Sequence, residues 1–65
     1  MTIGTKIKQL RKKKAMFSYE VAEKLKVSPQ TVVNWENNYK QPSLKHIRSL
    51  ASLFGVEITE LTKHL

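Results

Sequence analysis

The amino-terminal part of the chain has apolar residues at the spacing of an amphipathic helix. They follow the pattern i, i+4, i+7, which places three side chains on one helical face: Ile3, Ile7 and Leu10. The pattern predicts a first helix that begins at Thr2 or Gly4 and ends near Lys14. The basic residues of its last turn are expected to be solvated, where they complement the negative end of the helix dipole. A phosphate-facing flank and a basic amphipathic helix for a membrane or calmodulin-like partner are the alternatives.

Residues 18–37 are predicted to form two short helices joined by a tight turn. The second helix of the chain runs from Ser18 to about Leu25, and its apolar residues have helical spacing: Val21, Ala22 and Leu25. The third helix begins at Ser28 or Pro29, because Ser can cap a helix and Pro suits its first position. Val32 and Trp35 share its buried side, and four residues gather on the other side: Gln30, Val33, Asn34 and Asn37. A helix that is held by a core and presents Gln and Asn outward is typical of proteins that contact base edges in the DNA major groove.

A loop and two more helices are predicted after the third helix. Asn38 tolerates the left-handed backbone that ends a helix, and the residue before Pro42 favours an extended backbone. Ser43 is predicted to cap a fourth helix that Gly55 ends. Its inward residues are expected to be Leu44, Ile47, Leu50, Ala51 and Phe54, and its solvated outer side is expected to carry His46 and Arg48.

Two further apolar segments are expected to contribute to the core. In the connection before the second helix, Met16 and Phe17 are predicted to be buried or half-buried. Residues 56–65 are predicted to form a last short helix, with Ile58, Leu61 and Leu65 on its apolar side. This helix is either a lid on the core or, in part, a dimer contact.

Composition narrows the class of protein. Sixty-five residues form one small domain, residues 1–65, which can bury only roughly 60% of its unfolded surface, and this argues against a deep catalytic cleft. There is no Cys and no Asp, and the His and Glu residues are scattered, so no catalytic set, metal site or cofactor site is predicted. No segment has the length and hydrophobicity of a membrane span or signal peptide, so a protein that stays in the cytoplasm is expected.

The net charge of the chain favours a polyanionic partner. Twelve Lys and Arg residues against five acidic residues give a formal charge of +7. Such a charge suits DNA, RNA or an acidic membrane surface, and does not by itself distinguish among them.

Two runs of sequence resemble the helix-turn-helix domain of phage repressors, Cro proteins and Xre-type bacterial regulators. They are EVAEKLKVSPQTVVNWE and PSLKHIRSLASLFGV, and the resemblance covers about residues 7–61. It implies an all-α fold, a compact lambda-repressor-like bundle of five helices in which helices 2 and 3 form the helix-turn-helix. Phe17 and Ser18 depart from the usual Thr-Gln of the family, and Lys26 stands where its turn usually has Gly. Lys26 therefore implies a positive φ that costs on the order of 1 kcal/mol, or a slightly different turn.

The resemblance also implies which residues would contact DNA. The expected base-reading residues are Pro29, Gln30, Val33 and Asn34. Gln30 or Asn34 suits the N6 and N7 atoms of adenine, and Val33 suits a thymine methyl group. The expected phosphate contacts are Ser18, Tyr19, Ser28, Thr31, Asn37, Lys40 and Ser43. A surface-packed Tyr19 with no phosphate contact is an equal alternative.

An ion pair between Arg11 and Glu36 is predicted from the positions of the two residues. Arg11 continues the row of Ile3 and Ile7 at the edge of the buried stripe, so it should not be fully solvated. Glu36 ends the third helix, where the helix dipole disfavours a carboxylate unless a cation compensates it. Arginine can do so with two parallel hydrogen bonds, and repressor-like domains resemble this chain in having such a pair.

These observations predict a sequence-specific, double-stranded DNA-binding transcription regulator, a repressor of phage, plasmid or Xre type, that reads the major groove with its third helix. A homodimer on a two-fold symmetric operator is expected. The resemblance implies that it acts in the cytoplasm of a prokaryotic cell or phage-infected host. The alternative is a protein-interaction module of the same fold, an antitoxin or anti-repressor partner, in which DNA binding is secondary.

Overall fold

The computed structural model describes residues 1–65 and contains five helices and no strand, which confirms the predicted all-α fold. The helices are α1 (Ile3–Lys13), α2 (Ser18–Leu25), α3 (Pro29–Glu36), α4 (Leu44–Phe54) and α5 (Thr59–Thr62). Helices α2 and α3 pack together as the helix-turn-helix. Helix α1 packs against α3, α4 packs against α2, and α5 packs against α1 and α4. None of the five helices has both the length and the hydrophobicity of a membrane span.

Local capping chemistry sets most of the helix boundaries. The hydroxyl of Thr2 accepts the N–H of Thr5 at the start of α1, and Ser28 and Ser43 cap α3 and α4 in the same way. Helix α2 is capped differently. The carboxylate of Glu20, inside the helix, accepts the backbone N–H of Phe17, which precedes the helix, at 2.8 Å. Each cap satisfies a backbone donor or side-chain acceptor that would otherwise lack a partner.

The core is built from all five helices. Its buried apolar side chains are Ile3, Ile7, Leu10, Val21, Ala22, Val32, Trp35, Ile47, Leu50, Ala51, Phe54 and Leu61. Every helix contributes at least one of these residues, so burying any one apolar face requires the others to be in place. Such mutual burial supplies the stability that helices of this length lack in isolation.

Four sequence predictions about burial were wrong. Leu44 is 53% exposed, because as the first residue of α4 it lies at the end of the apolar face of that helix. Phe17 is exposed, and of the two residues only Met16 is half-buried and packs against the core. The chain turns just before them, where Ala15 has a left-handed backbone.

The remaining two errors concern the last helix and the outer side of α4. Helix α5 is only four residues long, and Leu65 extends beyond it into solvent. His46 is half-buried rather than solvated, because its ring lies against Trp35, with ring centroids 5.1 Å apart. Its Nδ1 atom lies 3.0 Å from the Ser43 hydroxyl.

The turn between α2 and α3 uses a left-handed residue. Lys26 has φ 59° and ψ 42°, as the comparison with the family pattern predicts. Asn38, also predicted to be left-handed, has φ 63° after α3. A side chain with a Cβ is strained in this region, and Asn tolerates it better than Lys does.

Lys26→Gly is expected to raise the free energy of unfolding by up to about 1 kcal/mol, because glycine relieves the strain of the left-handed backbone. Denaturant unfolding measures the change. Asn38→Gly is the matched control and should give a smaller gain, since Asn already suits this conformation. Equal or lower stability of Lys26→Gly would mean that the turn is unstrained.

Candidate nucleic-acid interface

Arg11 and Glu36 form a two-pronged ion pair between α1 and the end of α3. The Nε atom of Arg11 lies 2.7 Å from Oε2 of Glu36, and its Nη2 atom lies 3.1 Å from Oε1. The side chains are only 14% and 6% exposed. The hydrogen bond with Glu36 raises the pKa of Arg11 against the opposing effect of burial, so the guanidinium stays charged.

The same guanidinium also holds the start of α2. Its Nη1 atom donates a hydrogen bond to the carbonyl oxygen of Met16 at 2.8 Å. Arg11 therefore connects α1, the segment before α2 and the last residue of α3 through one rigid, planar group. This connection fixes the position of α3 relative to the rest of the domain.

Gly4, predicted above only as a possible helix start, allows a second close contact between α1 and α3. A Cβ atom at this position would overlap the carbonyl oxygen of Trp35 and lie 2.6 Å from Oδ1 of Asn38. Only glycine lets the two backbones approach this closely. A glycine inside a helical pattern often has such a packing reason, and that signal was present in the sequence.

Helix α3 has a buried side and an outer side, as its spacing predicts. Val32 and Trp35 form its buried side. We define the outer face of α3 as Pro29, Gln30, Val33, Asn34 and Asn37, all of which are exposed or half-buried. On this face Nε2 of Gln30 donates to Oδ1 of Asn34 at 3.0 Å, so two amide side chains lie together one helical turn apart.

The residues expected to contact phosphates occupy several helix ends. Ser28 and Ser43 are N-caps, and the Ser28 hydroxyl also lies 2.9 Å from that of Thr31. Ser18 and Tyr19 are the first two residues of α2. Asn37 and Lys40 are exposed in and after the last turn of α3.

Helix α3 carries no uncompensated acidic residue. Glu36 is the only acid on α3, and Arg11 neutralises it. Glu60 on α5 lies 3.6 Å from the amine of Lys6 and 3.6 Å from that of Lys63. An anionic surface could approach α3 without meeting an uncompensated carboxylate on that helix.

The geometry offers a supported helix with a polar outer face and no enclosed reaction site. No group of three or more His, Asp and Glu residues is placed to hold a metal ion. The surface clefts are open and border helix ends, for example the one beside Thr2, Asn38 and Lys40. Such a surface is suited to binding a macromolecule.

Residues 7–61 match the model of a helix-turn-helix family. The chain therefore belongs to this helix-turn-helix family, that of the lambda-repressor-like and Xre-type domains.

Three relatives are similar over most of the chain. It is 28% identical to an immunity repressor protein of Bacillus phage phi105, over 94% of the chain and 42% of that protein. It is 30% identical to the HTH-type transcriptional regulator ImmR of Bacillus subtilis, over 86% of the chain and 44% of ImmR. It is 31% identical to the HTH-type transcriptional activator BcrR of Enterococcus faecalis, over 94% of the chain and 30% of BcrR. The chain thus spans less than half the length of these relatives, and no solved structure matches it significantly.

Proposed function

We propose that the chain binds double-stranded DNA as a transcription regulator and inserts α3 into the major groove. The observation that carries this proposal is the outer face of α3, where Gln30 and Asn34 lie together on a helix whose opposite side is buried. The names of the relatives support a regulatory role, and they are those of a repressor, a transcriptional regulator and an activator. Repression is the form of regulation that we propose for this chain, in line with the phage relative.

Base recognition is assigned to Pro29, Gln30, Val33 and Asn34. A Gln or Asn amide offers one donor and one acceptor, which match N7 and N6 of adenine. The hydrogen bond between Gln30 and Asn34 holds both amides in a defined orientation before DNA arrives. Less side-chain entropy is then lost on binding.

Phosphate contacts are assigned to the groups that flank α3. They are the side chains of Ser18, Tyr19, Ser28, Thr31, Asn37, Lys40 and Ser43. Contacts of this kind fix the position of the protein on the duplex and do not depend on base sequence. Lys40 carries the only full charge among them, so it should contribute most to the salt dependence.

Gln30→Ala and Asn34→Ala are each expected to cost about 1–3 kcal/mol of discrimination at particular base pairs, because each removes a hydrogen-bonding amide. Lys40→Ala should weaken binding to all duplexes alike and reduce the slope of log affinity against log salt by about 0.9. Sequence selection from a random duplex pool, followed by titrations at two salt concentrations, measures both effects.

If all three variants weakened binding to every duplex sequence equally, α3 would not be the helix that reads bases. Binding of the unmodified chain that is unchanged between low and physiological salt would count against DNA binding altogether. That result would favour the alternative, a protein-interaction module of the same fold. The half-buried Val33 on the outer face of α3 is the feature that suits such a module.

Two copies are expected to engage one operator, because a single recognition helix spans only a few base pairs. Half-sites one helical turn apart, about 34 Å, would let two copies add their binding energies. Footprinting on the selected sequence should reveal two-fold symmetry. A protected site without symmetry would instead indicate a single bound copy.

A further inference from the structure

A pair of aromatic rings is exposed at the start of α2, where the chain departs from its family pattern. Phe17 and Tyr19 are 62% and 57% exposed, and neither ring belongs to the core. Their centroids are 5.5 Å apart and their planes differ by only 9°. The two rings thus form one continuous apolar surface, which we call the Phe17–Tyr19 pair, and adjoining exposed apolar groups of this kind often mark a binding surface.

Arg11 places the backbone before this pair beside the end of α3. The guanidinium donates to the Met16 carbonyl and to both carboxylate oxygens of Glu36. It therefore holds Met16, which precedes Phe17, next to the last residue of α3. The backbone that leads into the Phe17–Tyr19 pair therefore lies at the border of the carboxyl-terminal end of α3. A duplex that receives α3 in its major groove brings a sugar-phosphate strand to such a border.

The charge around the pair suits a nucleic-acid backbone. Three consecutive exposed lysines immediately precede the turn into α2: Lys12, Lys13 and Lys14. The acid nearest in sequence, Glu20, is turned back to accept the N–H of Phe17. Lysines attract phosphates, whereas neutral rings pack against apolar groups, and a nucleic-acid strand presents phosphates and apolar deoxyribose faces in alternation.

We propose that the Phe17–Tyr19 pair packs against deoxyriboses of the DNA strand that borders the major groove occupied by α3. This inference rests on the proposed function and adds to it a contact that is independent of both base sequence and salt. The rings carry no charge, so their contribution comes from removal of apolar surface from water and not from counterion release.

The test compares ring removal with ring conservation in titrations of a labelled duplex of arbitrary sequence. Phe17→Ser and Tyr19→Ser should each weaken binding about fivefold to tenfold, as expected for loss of a partly buried ring. The slope of log affinity against log salt should stay that of the unmodified chain. Phe17→Tyr keeps the ring and should keep the affinity. Tyr19→Phe keeps the ring and removes only the hydroxyl assigned to a phosphate, so it should lose less affinity than Tyr19→Ser. Lys40→Ala is the contrasting variant, because it should lower both the affinity and the slope.

Other results would overturn the inference. Serine variants that bind duplex like the unmodified chain, or that change the salt slope, would exclude an apolar backbone contact. A loss seen with single-stranded DNA and not with duplex would assign the rings to base stacking. If sedimentation showed a dimer that the serine variants break, the pair would be an interface between copies. Failure of the proposed function is distinguishable from all of these, because the unmodified chain would then show no salt-dependent duplex binding.

Discussion

Replacing Arg11 by Met, or Glu36 by Gln, is expected to lower the free energy of unfolding by about 3–5 kcal/mol. Each substitution leaves the opposite partner without its counter-charge or its full hydrogen bonding in a site that is largely closed to water. The loss is large for this chain, since small domains have total stabilities of only about 5–15 kcal/mol. Denaturant unfolding at neutral pH measures it.

The pair between Lys6 and Glu60 provides the matched control. Its atoms are 3.6 Å apart and Glu60 is well exposed, so Lys6→Met and Glu60→Gln should each cost less than about 1 kcal/mol. The double variant of Arg11 and Glu36 should cost less than the sum of the two single variants, because neither charge is then left alone. Losses below about 1 kcal/mol for both single variants would show that the buried pair behaves as an ordinary surface contact.

The raised pKa of Arg11 determines the pH dependence of its part of this stability. A cation whose folded pKa lies above its unfolded value contributes fully below the unfolded pKa, and the contribution disappears as pH rises through the folded pKa. For an arginine both values lie in strong alkali. The contribution of the guanidinium should therefore be constant across the neutral range.

Gly4→Ala is expected to destabilise the domain by about 3 kcal/mol or more, although alanine is the better helix former. The added methyl group would overlap the backbone oxygen of Trp35, and backbone cannot move aside as a flexible side chain can. Helix α1 would have to move away from α3, which would also stretch the ion pair of Arg11 and Glu36. Chemical denaturation reports the loss.

Gly55→Ala separates this steric effect from backbone strain. Gly55 has φ 68° and open space around the position of a Cβ, so alanine there should cost only about 1 kcal/mol. A Gly4→Ala variant that is as stable as the unmodified chain would mean that α1 can shift without cost. A further result, reduced DNA affinity in a Gly4→Ala variant that is still folded, would link the seating of α1 to the orientation of α3.

Features set by neighbouring residues were predictable from the sequence. Ser28 before Pro29, Ser43 and Gly55 mark helix ends through their own hydrogen bonds or backbone preferences, and the structure has the helix ends there. The inward faces of the helices follow from spacing alone. Exposure of Leu44 and Leu65 did not follow, because spacing gives the direction of a side chain and not the extent of the surface opposite it.

Features that join distant segments were harder to predict. The need for glycine at position 4 depends on where the end of α3 passes, and the contact of His46 with Trp35 depends on how α4 packs against α3. Arg11 and Glu36 are an exception. Arg11 lies at the edge of a buried stripe and needs an acceptor, Glu36 lies at the end of a helix and needs a cation, and each residue meets the need of the other. The assignments of Gln30, Asn34 and the phosphate contacts stay predictions, since they concern a partner molecule.

The position of Trp35 has a practical consequence for all of these measurements. It is the only tryptophan of the chain, it is 3% exposed, and it lies on the buried side of α3, the helix that we propose enters the groove. Its emission wavelength will therefore report whether α3 is seated, without any label. A variant that loses DNA affinity and keeps the blue-shifted emission of a buried indole has lost a contact with DNA. A variant whose emission shifts to the red has lost the packing of α3 on the core.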